Sequence, residues 1–226
     1  MPHPIDVYRP KFEEMIFALR PRSVLDVGCG QGAFLGRAAA RGIAATGIDV
    51  REDRVSVCRE AGLDVRCAEA DRLPFEDGSF DCVSMALVAH HLPSLRSALA
   101  EALRVGRRGV FAIDPWYDET IPSQRSKAEL ERWMKRVDRK KGGVNNGPLT
   151  AGDFVDTLGD TDCTVEICHR LLLRGETLAD AGEKYASQLD GLDTTTPFRD
   201  ELDALLERAA TTGLTTDGAI MLAITR

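Results

Sequence analysis

The sequence predicts a doubly wound α/β fold, a mostly parallel sheet with helices on both faces. Three observations carry that expectation. Short apolar, β-branched runs alternate with helical stretches at intervals of about 20 residues through the first half of the chain, and parallel strands need crossover helices of that kind. The first run ends in a glycine cluster, Gly28, Gly30 and Gly32, where a strand hands over to a helix. The composition is that of an ordinary globular domain, 226 residues with 43% hydrophobic and 29% charged, long enough to bury a real core.

Each element follows from local pattern. Ser23 to Gly28 reads as a buried strand, followed by an alanine-rich helix from Gly32 to Ala40 that Gly42 stops. A second strand, Ala44 to Asp49, leads into a helix from Arg51 to Glu60 closed by Gly62. Further strands are expected at Asp64 to Cys67, Phe80 to Ala86 and Val110 to Asp114, with a helix from Ser94 to Leu103 between the last two. After Pro115 the rhythm changes. Leu130, Trp133, Met134 and Val137 form one apolar helical face, and Gly142 to Pro148 breaks the chain. Thr150 with Asp153 reads as the N-cap of a helix reaching about Leu158. Val165 to Leu173 and Ala219 to Thr225 read as two more strands. Between them lie two amphipathic helices, the second begun by Thr196 as cap with Pro197 in its first turn.

Composition also excludes. The longest apolar runs, such as Val83 to Ala89, are far shorter than the ~20 residues that span a bilayer. The opening residues, Met1 to Asp6, lack a charged segment followed by an apolar stretch, so a cytoplasmic location is expected. Six cysteines without CxxC spacing speak against a metal or disulfide framework. The net charge of -7 divides into 15 basic against 16 acidic residues over 1–114, 8 against 5 over 115–150, and 6 against 15 over 151–226. A net acidic chain with one short basic stretch is a poor general nucleic-acid binder, because phosphate contacts dominate that affinity.

The sharpest chemical signal is the run Val24-Leu25-Asp26-Val27-Gly28-Cys29-Gly30-Gln31-Gly32. Glycines at the turn let backbone approach a ligand, with free N–H groups at the helix start. The spacing is G-x-G-x-G and lacks the third glycine of the dinucleotide fingerprint G-x-G-x-x-G. Asp49 closes the second strand, where a carboxylate can accept two hydrogen bonds from a ribose diol or cap the following helix. His90 and His91 follow the fourth strand at the crevice mouth; a histidine there either takes a proton from an acceptor or packs against or caps the next helix. His3 and His169 fall in other parts of the chain. Trp116 and Tyr117 follow the fifth strand, as a substrate wall or as packing for the next helix. The basic run from Arg132 to Lys141 reads as a solvated face, with a carboxylate or phosphate on a substrate as its other use.

The run VLDVGCGQG, the GID ending at Asp49 and AEADRLPFEDGSFDCV, in that order, resemble class I S-adenosylmethionine-dependent methyltransferases, in particular the small-molecule, type 11-like branch. The resemblance covers about residues 20–115. It implies a Rossmann-like seven-stranded sheet whose last two strands form an antiparallel pair, with S-adenosylmethionine as cofactor and S-adenosylhomocysteine as product. It implies that Gly28, Cys29 and Gly30 line the methionine part, that Asp26 organises that loop, and that Asp49, next to Val50, holds the ribose. Glu69, or else Asp71, would receive the adenine amino group, with the Ala70 N–H on a ring nitrogen and Ala86 beside the methionine chain. The expected organisation is one domain, 1–226, with a core at 20–114, 150–173 and 219–226 and helical lid insertions at 115–149 and 174–215. The expected reaction is methyl transfer to O, N or C of a small-molecule acceptor, with His90 or His91 as base, Trp116 and Tyr117 against the substrate, and no metal, nucleic acid or membrane. An NAD-dependent oxidoreductase and a catalytically silent cofactor-binding protein are the alternatives.

Overall fold

In the computed structural model, which describes residues 4–158, 162–192 and 195–226, the alternating pattern closes into one seven-stranded sheet. The chain runs through α1 (Arg9–Ala18), β1 (Ser23–Val27), α2 (Ala33–Ala39), β2 (Ala44–Asp49), α3 (Glu52–Glu60), β3 (Asp64–Cys67) and β4 (Phe80–Ala86). It continues through α4 (Leu95–Val105), β5 (Gly106–Trp116), α5 (Pro122–Lys140), α6 (Ala151–Leu158), β6 (Thr164–Arg170), β7 (Gly175–Glu176), α7 (Leu178–Ala186), α8 (Thr196–Thr212), β8 (Leu214–Thr215) and β9 (Gly218–Thr225). The sheet order is β3-β2-β1-β4-β5-β9-β6, and β9 runs antiparallel to both β5 and β6. Strand order reverses between β1 and β4, so the loops leaving them diverge and open a crevice at their carboxyl ends.

Burial on both faces explains why the central strands read as continuous apolar runs. On one face Leu25, Val27, Val83, Met85 and Leu222 pack with Leu99, Ala102 and Phe154 of α4 and α6. On the other, Phe111, Ile113 and Met221 meet Phe12 and Ile16 of α1 and Phe34 of α2. Helices α5, α7 and α8 share a separate core of Leu130, Trp133, Val137, Tyr185, Leu202 and Leu205. There the Trp133 indole N–H donates to the Phe198 carbonyl at 3.0 Å. The segments after β5 and after β6 thus come together as one helical layer. No helix among the described residues is long and apolar enough to cross a membrane.

Several expectations change. Helix α1 was not legible as a helix. Strand β5 starts at Gly106 and runs two residues past Asp114, while β6 ends at Arg170, ahead of Leu173. The short ribbon β7–β8 adds a second, two-stranded sheet. Thr196 is the first helical residue of α8; Thr195 holds the cap position, without a side-chain cap bond. Thr150 does cap α6, accepting from the Asp153 N–H at 3.2 Å while Asp153 accepts from the Thr150 N–H at 2.7 Å. Cys82 in β4 is buried, whereas Cys67, on the edge strand β3, is exposed.

Candidate functional site

The loop after β1 is fixed by main-chain bonds and by one carboxylate. The N–H groups of Gly28 and Cys29 donate to the Ile48 carbonyl at 2.8 and 2.9 Å, which ties the loop to β2. Gly28 (φ +71°) lies so close to Val88 that a Cβ would meet its Cγ2 at 2.6 Å, whereas a Cβ on Gly30 (φ +56°) would meet only the Arg54 guanidinium, at 4.0 Å. The first glycine is needed for packing, and the second keeps an open face clear of side chain. Asp49 is 5% exposed. Its Oδ2 accepts from the Gly30 N–H and its Oδ1 from the Arg51 N–H, both at 3.0 Å. It does not cap α3, whose N-cap residue is Arg51. Each oxygen keeps further acceptor capacity.

Two hollows flank this loop. A cavity of about 690 Å3 is lined by Gly28, Asp49, Val50, Glu69, Ala70, Asp71, Leu87 and His91. On the far side of the loop a cleft of about 800 Å3 is lined by Asp26, Cys29, Gly30, Ala86, Leu87, Arg9 and Arg37. Every residue proposed for the cofactor therefore faces one of these two hollows. Glu69 and Asp71 reach the same cavity from either side of buried Ala70. Leu87, common to both hollows, has φ +59° and donates its N–H to the Ile113 carbonyl at 2.8 Å. A left-handed leucine is uncommon, and such strain concentrates at functional sites. Burial pushes the Asp26 carboxyl up to about 7, although the Ser84 hydroxyl, Arg9 and Arg37 pull it down.

A third cavity, of about 990 Å3, lies between α5, α7 and the end of β5, and both His90 and His91 line it. The two histidines sit on a short 3-10 turn, Ala89–His91, with ring centroids 4.0 Å apart. Neither caps α4: Ser94 does, accepting from the Ser97 N–H at 3.1 Å. His90 Nδ1 is bonded to a carboxylate oxygen of Asp114, which is fully buried at the end of β5. That bond fixes the ring and leaves Nε2 as the nitrogen available to a partner. His91 Nδ1 lies 3.3 Å from the Val144 carbonyl. Burial and the neighbouring His90 keep its imidazole below its ordinary range. The loop after α5 is latched on top, with the Asn146 N–H donating to the His90 carbonyl and its side-chain amide to the Leu92 carbonyl, each at 2.8 Å.

The tail of β5 separates the two aromatic candidates. Side chains alternate along an extended chain, so Pro115 and Tyr117 face the third cavity while Trp116 points away and stacks on His169, centroids 4.1 Å apart. Tyr117 thus lines the third cavity, and Trp116 packs on His169 away from it. His3 lies outside the described residues. Residues not singled out individually from the sequence also line the cavity, a charged stack on α5 made of Lys127, Glu131 and Lys135, while Asp114 lies behind His90. Spacing by four along a helix with a buried face was the signal that marked the stack. Lys127 pairs with Glu176 at 2.6 Å, and Lys184 pairs with Glu131 at 3.2 Å. Against the penalty of burial, Lys184 and Lys127 hold Glu131 below its ordinary range. Among the described residues, no group of three or more His, Cys, Asp or Glu is placed to hold a metal ion.

A seven-stranded sheet with one antiparallel strand, a G-x-G-x-G turn after β1 and an acidic residue closing β2 defines the class I methyltransferase fold. Residues 25–113 match the family model described as a methyltransferase domain. The chain is 35% identical over 108 residues to a tRNA (carboxymethyluridine(34)-5-O)-methyltransferase of Xenopus tropicalis, covering 46% of this chain and 17% of that protein. It is 32% identical over 114 residues to the ubiquinone biosynthesis O-methyltransferase of Methylococcus capsulatus, covering 47% of this chain and 48% of that one. The matches thus span less than half the length of these relatives. The geranyl diphosphate C-methyltransferase of Streptomyces coelicolor A3(2), solved with Mg2+, geranyl diphosphate and S-adenosyl-L-homocysteine, superposes with a TM-score of 0.60 at 14% identity, covering 96% of this chain and 80% of that one.

Proposed function

We propose that the chain transfers a methyl group from S-adenosylmethionine to O, N or C of a small-molecule acceptor. The observation that carries this reading is the meeting of hollows at the histidine pair: His91 lines both the cavity that holds Asp49 and Glu69 and the cavity that holds His90. A cofactor and an acceptor seated in them would face each other beneath the latched loop. The residues present fit the cofactor, because Gly30 leaves its open face clear and Asp49 retains lone pairs for a diol. Asp49 would hold the ribose, Glu69 or Asp71 with Ala70 the adenine, and Gly28, Cys29, Gly30 and Ala86 the methionine part.

When bound, the cofactor supplies a methyl group already activated for displacement by a nucleophile. The protein's own work is then to align two molecules and exclude water, worth about 7 to 11 kcal/mol of barrier when alignment is good. His90, oriented by Asp114, accepts the proton of an acceptor that arrives protonated. Helices α5, α7 and α8 act as the lid over the acceptor. The small-molecule assignment rests on the concave cavity between α5 and α7, on the acidic charge balance and on the ubiquinone-pathway relative; the tRNA-acting relative names the competing substrate.

Calorimetry with S-adenosylhomocysteine tests the cofactor. Binding is expected, and Asp49→Ala should weaken it by roughly 1.5 to 3 kcal/mol, the usual scale for hydrogen bonds to a charged group. No detectable binding at millimolar ligand would overturn the reading, and methylation of bulk tRNA by the purified protein would overturn its small-molecule part.

A further inference from the structure

Among the described residues, Lys135 is an ionisable side chain that is 5% exposed, lines the third cavity, and makes no hydrogen bond and no ion pair. Its neighbours on the same stack are all engaged: Lys127 with Glu176, Glu131 with Lys184 and the Tyr185 hydroxyl. The arginines of the basic run also have partners, Arg132 on Glu119, Arg136 on Glu201 and Arg139 on the Asn145 carbonyl. Four residues advance about 6 Å along a helix axis, so Lys135 stands two such steps, about 12 Å, beyond Lys127. It sits at the His90–His91 end, where it and His91 feel each other's charge.

We propose that Lys135 is the anchoring residue for a carboxylate on the acceptor, which makes the substrate a small organic monoacid whose methyl-accepting atom lies near His90. An isolated buried ammonium is costly unless it is paired, and here the cavity side is where a partner can come. The charge balance sets the class. Lys127, Lys135 and Lys184 stand among Glu131, Asp138, Glu176, Asp180, Glu183 and Asp217, so the lining is net acidic. A singly charged acid held on Lys135 is opposed less there than a doubly charged phosphate. Met134, Pro115, Pro148 and Tyr117 supply apolar walls suited to a ring or short chain beside that carboxylate. Burial lowers the Lys135 ammonium from its ordinary range, with Glu131 and Asp114 opposing, and a bound carboxylate would restore it.

The inference rests on the methyltransferase reading only in naming the bound acid the acceptor. The test is calorimetry on the full chain saturated with S-adenosylhomocysteine, using benzoate, benzamide and inorganic phosphate as probes, with Lys135→Met and Lys135→Arg. Benzoate should bind, lose about ten- to a hundredfold in affinity in K135M, and recover most of it in K135R. Benzamide should bind weakly and alike in wild type and K135M. The melting temperature of K135M should equal or exceed that of wild type, since no native partner is lost. Equal benzoate affinity in wild type and K135M, a preference for phosphate over benzoate, no benzoate binding, or a K135M protein that melts several degrees lower would each overturn the proposal. If S-adenosylhomocysteine fails to bind but benzoate still depends on Lys135, the carboxylate site stands and the methyltransferase reading falls.

Discussion

At the residue scale the His90–Asp114 pair and Asp26 make the clearest predictions. If His90 is the base, His90→Ala should lower turnover by roughly 10²- to 10⁴-fold while affinity for S-adenosylhomocysteine stays near that of wild type. Asp114 acts only through the ring it orients, so Asp114→Asn should lower turnover less, and the double variant should be no slower than His90→Ala alone. Additive losses would mean that Asp114 has a separate role. Asp26 gives a pH dependence. Its folded carboxyl lies near 7, above its unfolded value of about 4. Between those values the folded chain therefore holds a proton that the unfolded chain has released, and stability from this group falls as pH rises through the window. Asp26→Asn removes the penalty, so the variant's melting temperature relative to wild type should be higher at pH 8 than at pH 5. S-adenosylhomocysteine, whose ammonium favours an ionised carboxylate, should narrow that difference. A constant difference across pH would place the titration elsewhere.

At the element scale, a carboxylate at the start of β4 ties down the entry of β1, ahead of the parallel ladder that pairs the two strands. Asp81 accepts from the N–H groups of Arg22 and Ser23 at 2.7 and 3.3 Å, and Arg107 pairs with it at 2.9 Å. Asp81→Ala should cost roughly 1.5 to 3 kcal/mol, read from urea denaturation, because it strands two main-chain donors at the entry of β1. Such a contact, 58 residues apart in sequence, shows what local pattern carries and what it does not. The parallel strands were legible because burial on both faces turns each into a plain apolar run between turn residues. Helix α1 was not, since only Phe12, Glu13 and Ile16 are buried along it and Glu13 is buried through an ion pair with Arg37. The two-residue strands β7 and β8 are too short to show any period. The same division runs through the site. Gly28, Gly30, Asp49 and Glu69 belong to contiguous motifs, whereas Asp114, Lys135 and Asp217 meet only after β5, α5 and β9 have packed. Trp116 and Tyr117 were indistinguishable until the pleat put them on opposite sides.

At the scale of the whole molecule, the sheet builds the two hollows beside Gly28, and α5, α7 and α8, with a core of their own, stand over the third cavity. The loop at 142–148 joins the first cavity to the third, because Gly143 and Val144 line the cavity that holds Asp49 while Asn145 and Pro148 line the other. Its bonds to the histidine turn are few and end at main-chain carbonyls, which is the low-stability kind of contact from which moving elements are drawn. Closure of such a roof sequesters reactants and often limits turnover. Hydrogen exchange should therefore respond in two stages. S-adenosylhomocysteine alone should slow exchange at 28–32, 49–54, 68–73 and 142–148, since those residues line or adjoin the first cavity. Protection over α7 should follow only when the third cavity is filled as well, for which benzoate is the probe. Unchanged exchange at 142–148 on cofactor binding would make that loop a fixed wall, and simultaneous protection of α7 by S-adenosylhomocysteine alone would make the roof a single rigid piece.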